Sequence, residues 1–134
     1  MSRTAIGTTT VSRRRLLGGV AGLIGLGAAG ALSGCAPSKP EVVPSDEKVK
    51  AAITVRAIDN RYEPREVEIE PGQAVRWVFE GSMEHDVVAK DGSFVSELQQ
   101  TGSYTHLFEE AGDYDYLCSI HPEMTGVVRV AVAP

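Results

Sequence analysis

The stretch Tyr116-Leu117-Cys118-Ser119-Ile120-His121-Pro122-Glu123-Met124-Thr125-Gly126 carries the residues on which the interpretation of this chain depends. It places a thiol, an imidazole and a thioether three residues apart, at Cys118, His121 and Met124. A strand-like run precedes this stretch, and another follows it. We therefore expect the three side chains to share one tight loop between two strands.

A second histidine, His85, lies in the segment Ser82-Met83-Glu84-His85-Asp86-Val87-Val88 and can complete a set of ligands. Soft sulfur ligands combined with imidazole select copper over magnesium or calcium, and two His, one Cys and a distant Met are typical of blue-copper electron-transfer sites. The sequence therefore predicts one copper ion bound by His85, Cys118, His121 and Met124. Residues expected to tune the site without binding the metal are Met83, Asp86 and Pro122.

The first 34 residues have the layout of an export signal. Ser12-Arg13-Arg14-Arg15-Leu16-Leu17 is similar to a twin-arginine signal, and the apolar run from residue 16 to 32 is diluted by glycine. Leu32-Ser33-Gly34-Cys35 resembles the lipobox of bacterial lipoproteins, in which the cysteine is acylated and the signal is cut before it. The pattern predicts a signal peptide at 1–34 and a lipid on Cys35 that holds the protein on the periplasmic or outer face of a bacterial membrane. An uncleaved membrane anchor and a soluble secreted protein are the alternatives.

Cys118 is the other of the two cysteines. A lone thiol in an exported protein oxidises or cross-links unless it is buried or bound to metal. A buried core cysteine is the simpler interpretation, but the neighbouring His121 and Met124 favour a metal ligand.

The segment from Ala36 to Lys48 is rich in proline, serine and charge and has few large apolar residues. Such a composition cannot bury enough surface to fold and is typical of a flexible tether. We therefore expect residues 35–50 to connect the lipid to a folded domain at 51–134.

From Ala51 onward apolar and polar residues alternate, which is typical of strands with one buried face. The clearest segments are 53–57, 66–70, 75–80, 104–108, 114–118 and 127–132. Pro71-Gly72 and Asp91-Gly92 are turn signals, and residues 93–102 fit an irregular connection. The sequence predicts an all-β sandwich or barrel of about seven or eight short strands.

After Cys35 the chain has nine Lys and Arg against eighteen Asp and Glu, a formal charge of −9. This acidic balance, without basic clusters, argues against nucleic acid as a partner. The charge favours either a partner with a positive surface or simply solubility.

At these residues the chain resembles the cupredoxins, the type 1 blue-copper proteins, and especially their amicyanin and plastocyanin group. The features that match are the run from Phe108 to Cys118, the spacing of His121-Pro122 and Met124, Trp77, and the segment 83–87. The resemblance implies a Greek-key β-sandwich in which His85, Cys118 and His121 form a trigonal plane and Met124 is axial. It also implies one-electron transfer between redox partner proteins through the exposed edge of His121. We expect a monomer without enzyme activity.

Three positions depart from the family pattern. Asp86 stands where the family often has Asn, and because Asp lacks NH₂ donors and can carry charge, redox potential and loop support are expected to differ. Ile120 replaces a frequent Pro, and Glu123 stands where amicyanins have an aromatic residue, so the docking patch is expected to differ as well.

Other functions use the same residues less well. Copper storage or delivery at the envelope is the main alternative, and a metal-free binding module is the simplest one. Multicopper and nitrite-reducing enzymes need further His clusters, whereas here only His106 remains, which we expect in a structural or surface role. Zinc is poorly matched to Met.

Overall fold

The structure is a computed structural model that describes residues 38–132. The predicted signal peptide and the predicted lipid attachment at Cys35 lie outside these residues. Within residues 38–132 the regular structure consists of eight strands: β1 (Ala51–Ile58), β2 (Arg61–Glu63), β3 (Glu66–Ile69), β4 (Gln73–Phe79), β5 (Val88–Ala89), β6 (Gly102–Phe108), β7 (Gly112–Leu117) and β8 (Thr125–Val130). This part of the chain contains no helix long and apolar enough to cross a membrane.

The strands form two four-stranded sheets, with the orders β2-β1-β4-β6 and β3-β8-β7-β5. The β1–β4 and β3–β8 pairs are parallel, and the other pairs are antiparallel. The chain passes from one sheet to the other at five connections, namely β2–β3, β3–β4, β4–β5, β5–β6 and β6–β7. The predicted all-β, Greek-key sandwich is confirmed. The short strands β2 and β5 were not predicted, because so few residues show no measurable alternation.

Aromatic side chains fill the space between the sheets. Trp77 is fully buried; its ring stacks on Phe94 and meets Tyr116 edge-on, with centroid distances of 5.4 Å in both cases. These are the geometries that aromatic quadrupoles favour. Alternate residues of a strand face the same side, and accordingly Tyr116 and Cys118 are both fully buried. The Cys118 sulfur therefore enters the interior at the end of β7.

The two predicted turns are present. Gly72 and Gly92 have φ angles of +87° and +76°, which glycine adopts at little cost. The backbone N–H of Gln73 donates to the carbonyl of Glu70 at 3.1 Å and closes the first turn. The first turn joins β3 to β4, and the second follows β5.

The segment before β1 differs from the predicted flexible tether. Backbone N–H groups of Val43 and Asp46 donate to the carbonyls of Val95 and Thr105 at 2.9 and 2.8 Å. The Asp46 carboxylate accepts a hydrogen bond from the Leu107 N–H at 2.9 Å. Thr105 and Leu107 belong to β6, an edge strand, so the segment covers an otherwise open edge. A freely extended tether is therefore wrong for residues 39–49, which we call the strap.

Candidate metal centre

The predicted ligand loop connects β7 to β8 and is closed by its own backbone. The Cys118 N–H donates to the carbonyl of Met124 at 3.0 Å, and the Met124 N–H donates to the carbonyl of His121 at 2.8 Å. Pro122 is exposed and occupies the second position of this four-residue turn, where its fixed φ is favourable. Pro122 thus acts on the loop through the backbone.

The structure brings the two predicted histidines to the same sulfur. Cys118 Sγ lies 3.8 Å from His85 Nδ1 and 3.6 Å from His121 Nδ1. One ligand atom from each of the three residues lies within 4.8 Å of the others. Residues separated by more than thirty positions therefore converge as the sequence predicts.

The spacing of these atoms fits a metal ion. A first-row ion that binds nitrogen at about 2.0 Å and thiolate at about 2.3 Å in a trigonal plane holds the two atoms about 3.7 Å apart. The observed S···N distances are 3.6 and 3.8 Å. The donor set contains nitrogen and sulfur and matches copper better than magnesium or calcium, which prefer oxygen ligands.

Burial differs among the four predicted copper ligands. His85, Cys118 and Met124 are fully buried, whereas His121 is partly exposed. Burial raises the pKa of the Cys118 thiol, and nearby backbone N–H groups, that of Asp86 first among them, oppose this shift. A thiolate in this position is therefore favoured chiefly by a bound cation. Met124 belongs to the same buried apolar cluster as Cys118, in line with its predicted place beside the metal.

Asp59 is a functional residue that sequence reasoning missed. Its carboxylate lies 3.1 Å from His85 Nε2 and accepts hydrogen bonds from the Ser82 N–H, the Ser82 hydroxyl and the Met83 N–H. These contacts, those from Ser82 first and then that from His85, lower the pKa of Asp59. A proton on Nε2 pointing at Asp59 leaves the Nδ1 lone pair free for the metal, as is common for metal-bound histidines.

Gly81 has no side chain, which leaves space for Asp59 and His85 to contact each other. A Cβ on Gly81 would overlap Asp59 Oδ1 and would lie 2.9 Å from His85 Nε2. Any larger residue would therefore push apart the pair that orients the ligand. The absence of a side chain here is a packing requirement.

Asp86 connects the two segments that bear the ligands. It is fully buried, and its carboxylate accepts hydrogen bonds from the Ser119 N–H at 2.7 Å and the Ser119 hydroxyl at 2.6 Å. Lys39 Nζ of the strap lies 2.6 Å from the same carboxylate, and the Tyr62 hydroxyl donates to the Asp86 carbonyl at 2.5 Å. Asp86 therefore supports the ligand loop as an acceptor.

Two other predicted positions have different outcomes. The Met83 side chain is 46% exposed, and its predicted tuning role stays a prediction; its backbone N–H donates to Asp59 and holds the loop before His85. His106 lies between the rings of Phe94 and Phe108, at centroid distances of 5.1 and 4.8 Å. Burial lowers the pKa of His106, against the opposing effect of Asp46. This is the structural placement that the sequence favours.

Comparisons with known proteins agree with this geometry. The profile of the copper-binding proteins of the plastocyanin/azurin family matches residues 49–132. Amicyanin of Paracoccus denitrificans is 34% identical over 119 residues, which cover 81% of this chain and 88% of the relative. Amicyanin of Paracoccus versutus is 37% identical over 94 residues, 66% of this chain and 67% of the relative.

A solved structure shows the same likeness in three dimensions. The crystal structure of amicyanin from Paracoccus versutus aligns with a TM-score of 0.55 and 35% identity, covering 69% of this chain and 92% of that one. Together with the His–Cys–His group and the adjacent Met, these matches identify the cofactor as one type 1 copper ion. The chain belongs to the plastocyanin/azurin family of copper-binding proteins.

Proposed function

We propose that this protein is a one-electron carrier of a bacterial envelope, in which His85, Cys118, His121 and Met124 would hold the copper ion. Bound copper supplies a one-electron couple, and the thiolate and thioether favour its reduced form while imidazole suits both forms. The observation that carries the proposal is the convergence of two imidazoles on one buried sulfur.

The protein's part is to hold this ligand set still. Asp59 fixes the His85 ring, and Asp86 ties the segment of His85 to the residue after Cys118. The turn from His121 to Met124 is closed by the backbone. A site anchored on all sides changes little when the oxidation state changes, which favours rapid transfer over metal release.

His121 is the proposed port for electrons, because it is the one partly exposed member of the His–Cys–His group. Ile120, its neighbour in sequence, is 49% exposed, so apolar surface borders the imidazole. The partners are redox proteins that dock on this surface, and the acidic charge of the domain favours partners with positive surfaces. We propose that the carrier acts as a monomer.

An optical experiment tests the carrier. The copper-loaded protein should show an intense thiolate-to-copper colour in the oxidised form, which one-electron reduction bleaches reversibly. Cys118→Ser should abolish the colour, and a variant that kept it would contradict the site. Competition with a chelator separates a carrier from a delivery protein, because a delivery protein should surrender its copper whereas a carrier should retain it through repeated redox cycles.

We also propose that residues 1–34 are removed as an export signal and that Cys35 carries the lipid anchor. The order of basic region, apolar run and Leu32-Ser33-Gly34-Cys35 supports this. Because the chain is bonded to the domain from Lys39 onward, the linker is shorter than the composition suggests. Cys35→Ala should release the protein from membranes, and mass spectrometry of the N-terminal peptide should detect the acyl chains in the parent protein alone.

A further inference from the structure

One ion pair joins the strap to both segments that carry the copper ligands. Asp86 directly follows His85, and Ser119 directly follows Cys118. The Asp86 carboxylate binds Ser119 through two hydrogen bonds and binds Lys39 Nζ of the strap at 2.6 Å. A single residue thus joins three parts of the chain that are remote in sequence, which are its own segment, the ligand loop and the strap.

This pair is well shielded from water. The Asp86 side chain is fully buried, and that of Lys39 is 29% exposed. The Lys39 ammonium also donates to the Ser96 carbonyl at 2.8 Å, which fixes its position. A buried carboxylate is costly without a partner, and charges with little solvent between them interact more strongly than surface charges. The strap therefore supplies a fixed positive charge beside the metal centre.

We propose that Lys39 is a positioning residue through which docking of the strap controls the redox equilibrium of the copper centre. This inference rests on the proposed carrier function. When a reducing partner donates one electron, the centre becomes one unit less positive. A nearby cation disfavours the oxidised form more than the reduced form, so docked Lys39 favours reduction and holds the Asp86–Ser119 link in place.

The coupling is reciprocal. If docking of Lys39 favours the reduced centre, reduction must tighten the docking of the strap by the same factor. The strap N–H groups of Val43 and Asp46, which are bonded to Val95 and Thr105, report on that docking. They should exchange with solvent more slowly in the reduced protein than in the oxidised one.

The test compares Lys39→Gln with Lys48→Gln in copper-loaded protein made from the full chain. Lys48 is an exposed residue of the same strap, so its replacement removes the same charge from the same segment without breaking the pair with Asp86. Lys39→Gln should shift the redox equilibrium toward the oxidised form by at least about fivefold, the lower end of typical couplings between linked sites. A fivefold shift corresponds to a midpoint potential that is lower by about 40 mV, because a tenfold shift of a one-electron couple corresponds to about 59 mV.

Lys48→Gln should shift the redox equilibrium less than about twofold, which is below the range of site-to-site coupling. Lys39→Arg should keep most of the parent potential because it keeps the charge. Equal shifts in Lys39→Gln and Lys48→Gln would overturn the inference. So would Val43 and Asp46 amide exchange that is identical in the two oxidation states. If the parent protein binds copper without the colour, the carrier proposal fails; if the colour is present and Lys39→Gln leaves the potential unchanged, only the role of Lys39 fails.

Discussion

Replacing Asp59 with Ala should weaken copper binding without touching a ligand. Asp59 lies in the turn between β1 and β2, and its carboxylate orients His85 through Nε2. It also holds the loop before His85 through the N–H groups of Ser82 and Met83. The substitution removes both supports, because Ala offers no acceptor to either.

The size of the effect follows from what replaces the carboxylate. Its side chain is 37% exposed, so water can reach the freed Ser82 and Met83 donors and the fold should survive. The buried imidazole of His85, however, loses the carboxylate that lies 3.1 Å from its Nε2. Loss of such a partner typically lowers metal affinity 10- to 100-fold. Asp59→Asn keeps an oxygen acceptor and should lose roughly tenfold or less.

Copper affinity can be measured by competition with a chromophoric chelator. Asp115→Asn is a suitable control, because Asp115 is an exposed carboxylate of β7 whose nearest cation is Lys90 at 3.8 Å. An Asp59→Ala affinity within about threefold of the parent, well under the usual effect of outer partners, would refute the proposed role. So would an equal loss in Asp115→Asn, since that would indicate a general effect of charge.

Three further results are expected. Gly126→Ala should cost about 1–3 kcal/mol of unfolding free energy, because a Cβ would overlap the Tyr116 ring and lie 2.8 Å from its Cε2; urea unfolding measures this, and a cost that is unchanged in a Tyr116→Leu background would contradict the clash. Burial raises the pKa of Tyr104 and Tyr116 to about 12, whereas unfolded tyrosine titrates near 10. The folded state therefore keeps these protons longer, and stability should fall between about pH 10 and pH 12, by up to about 1.4 kcal/mol per pH unit for each tyrosine; a Tyr116→Phe variant with the parent slope would contradict this. Free Cu(I) at 100 times its Kd should stabilise the protein by about 2.7 kcal/mol, and Cys118→Ala should lose most of that gain in thermal unfolding.

The candidate ligands could be predicted because the sequence places them in recognisable patterns. Cys118, His121 and Met124 share one loop, and the alternation of facing along β7 agrees with the burial of both Tyr116 and Cys118. Asp59 could not be predicted in this way. It approaches His85 because β1 and β4 are parallel neighbours, with Ala57 opposite Phe79, so their carboxyl ends meet at one end of the sheet. Strand pairing of this kind is not visible in the local pattern.

The bonding of the strap to the domain could not be predicted for a different reason. Its proline, serine and charged residues have the composition of a linker. Composition indicates how much apolar surface a segment can bury, but it does not show which hydrogen bonds the segment can form. The strap is held instead by hydrogen bonds of Ser45 and Asp46 to β6 and by the ion pair of Lys39. Asp86, which stands where the family often has Asn, is fully buried, and a buried carboxylate needs a nearby cation. Lys39 supplies that cation.

The reach of the strap also decides how much of this chain must be kept when the soluble domain is prepared for study. The match to the family profile begins at residue 49, and a protein trimmed to that point would lose Lys39 along with the cover over β6. Its buried Asp86 would face the copper ligands with no counter-ion, and the trimmed edge would be open to association with another strand. A midpoint potential or an oligomeric state measured on such a fragment would differ from that of the full chain. A soluble domain that keeps the ion pair between Lys39 and Asp86 must begin at or before Lys39.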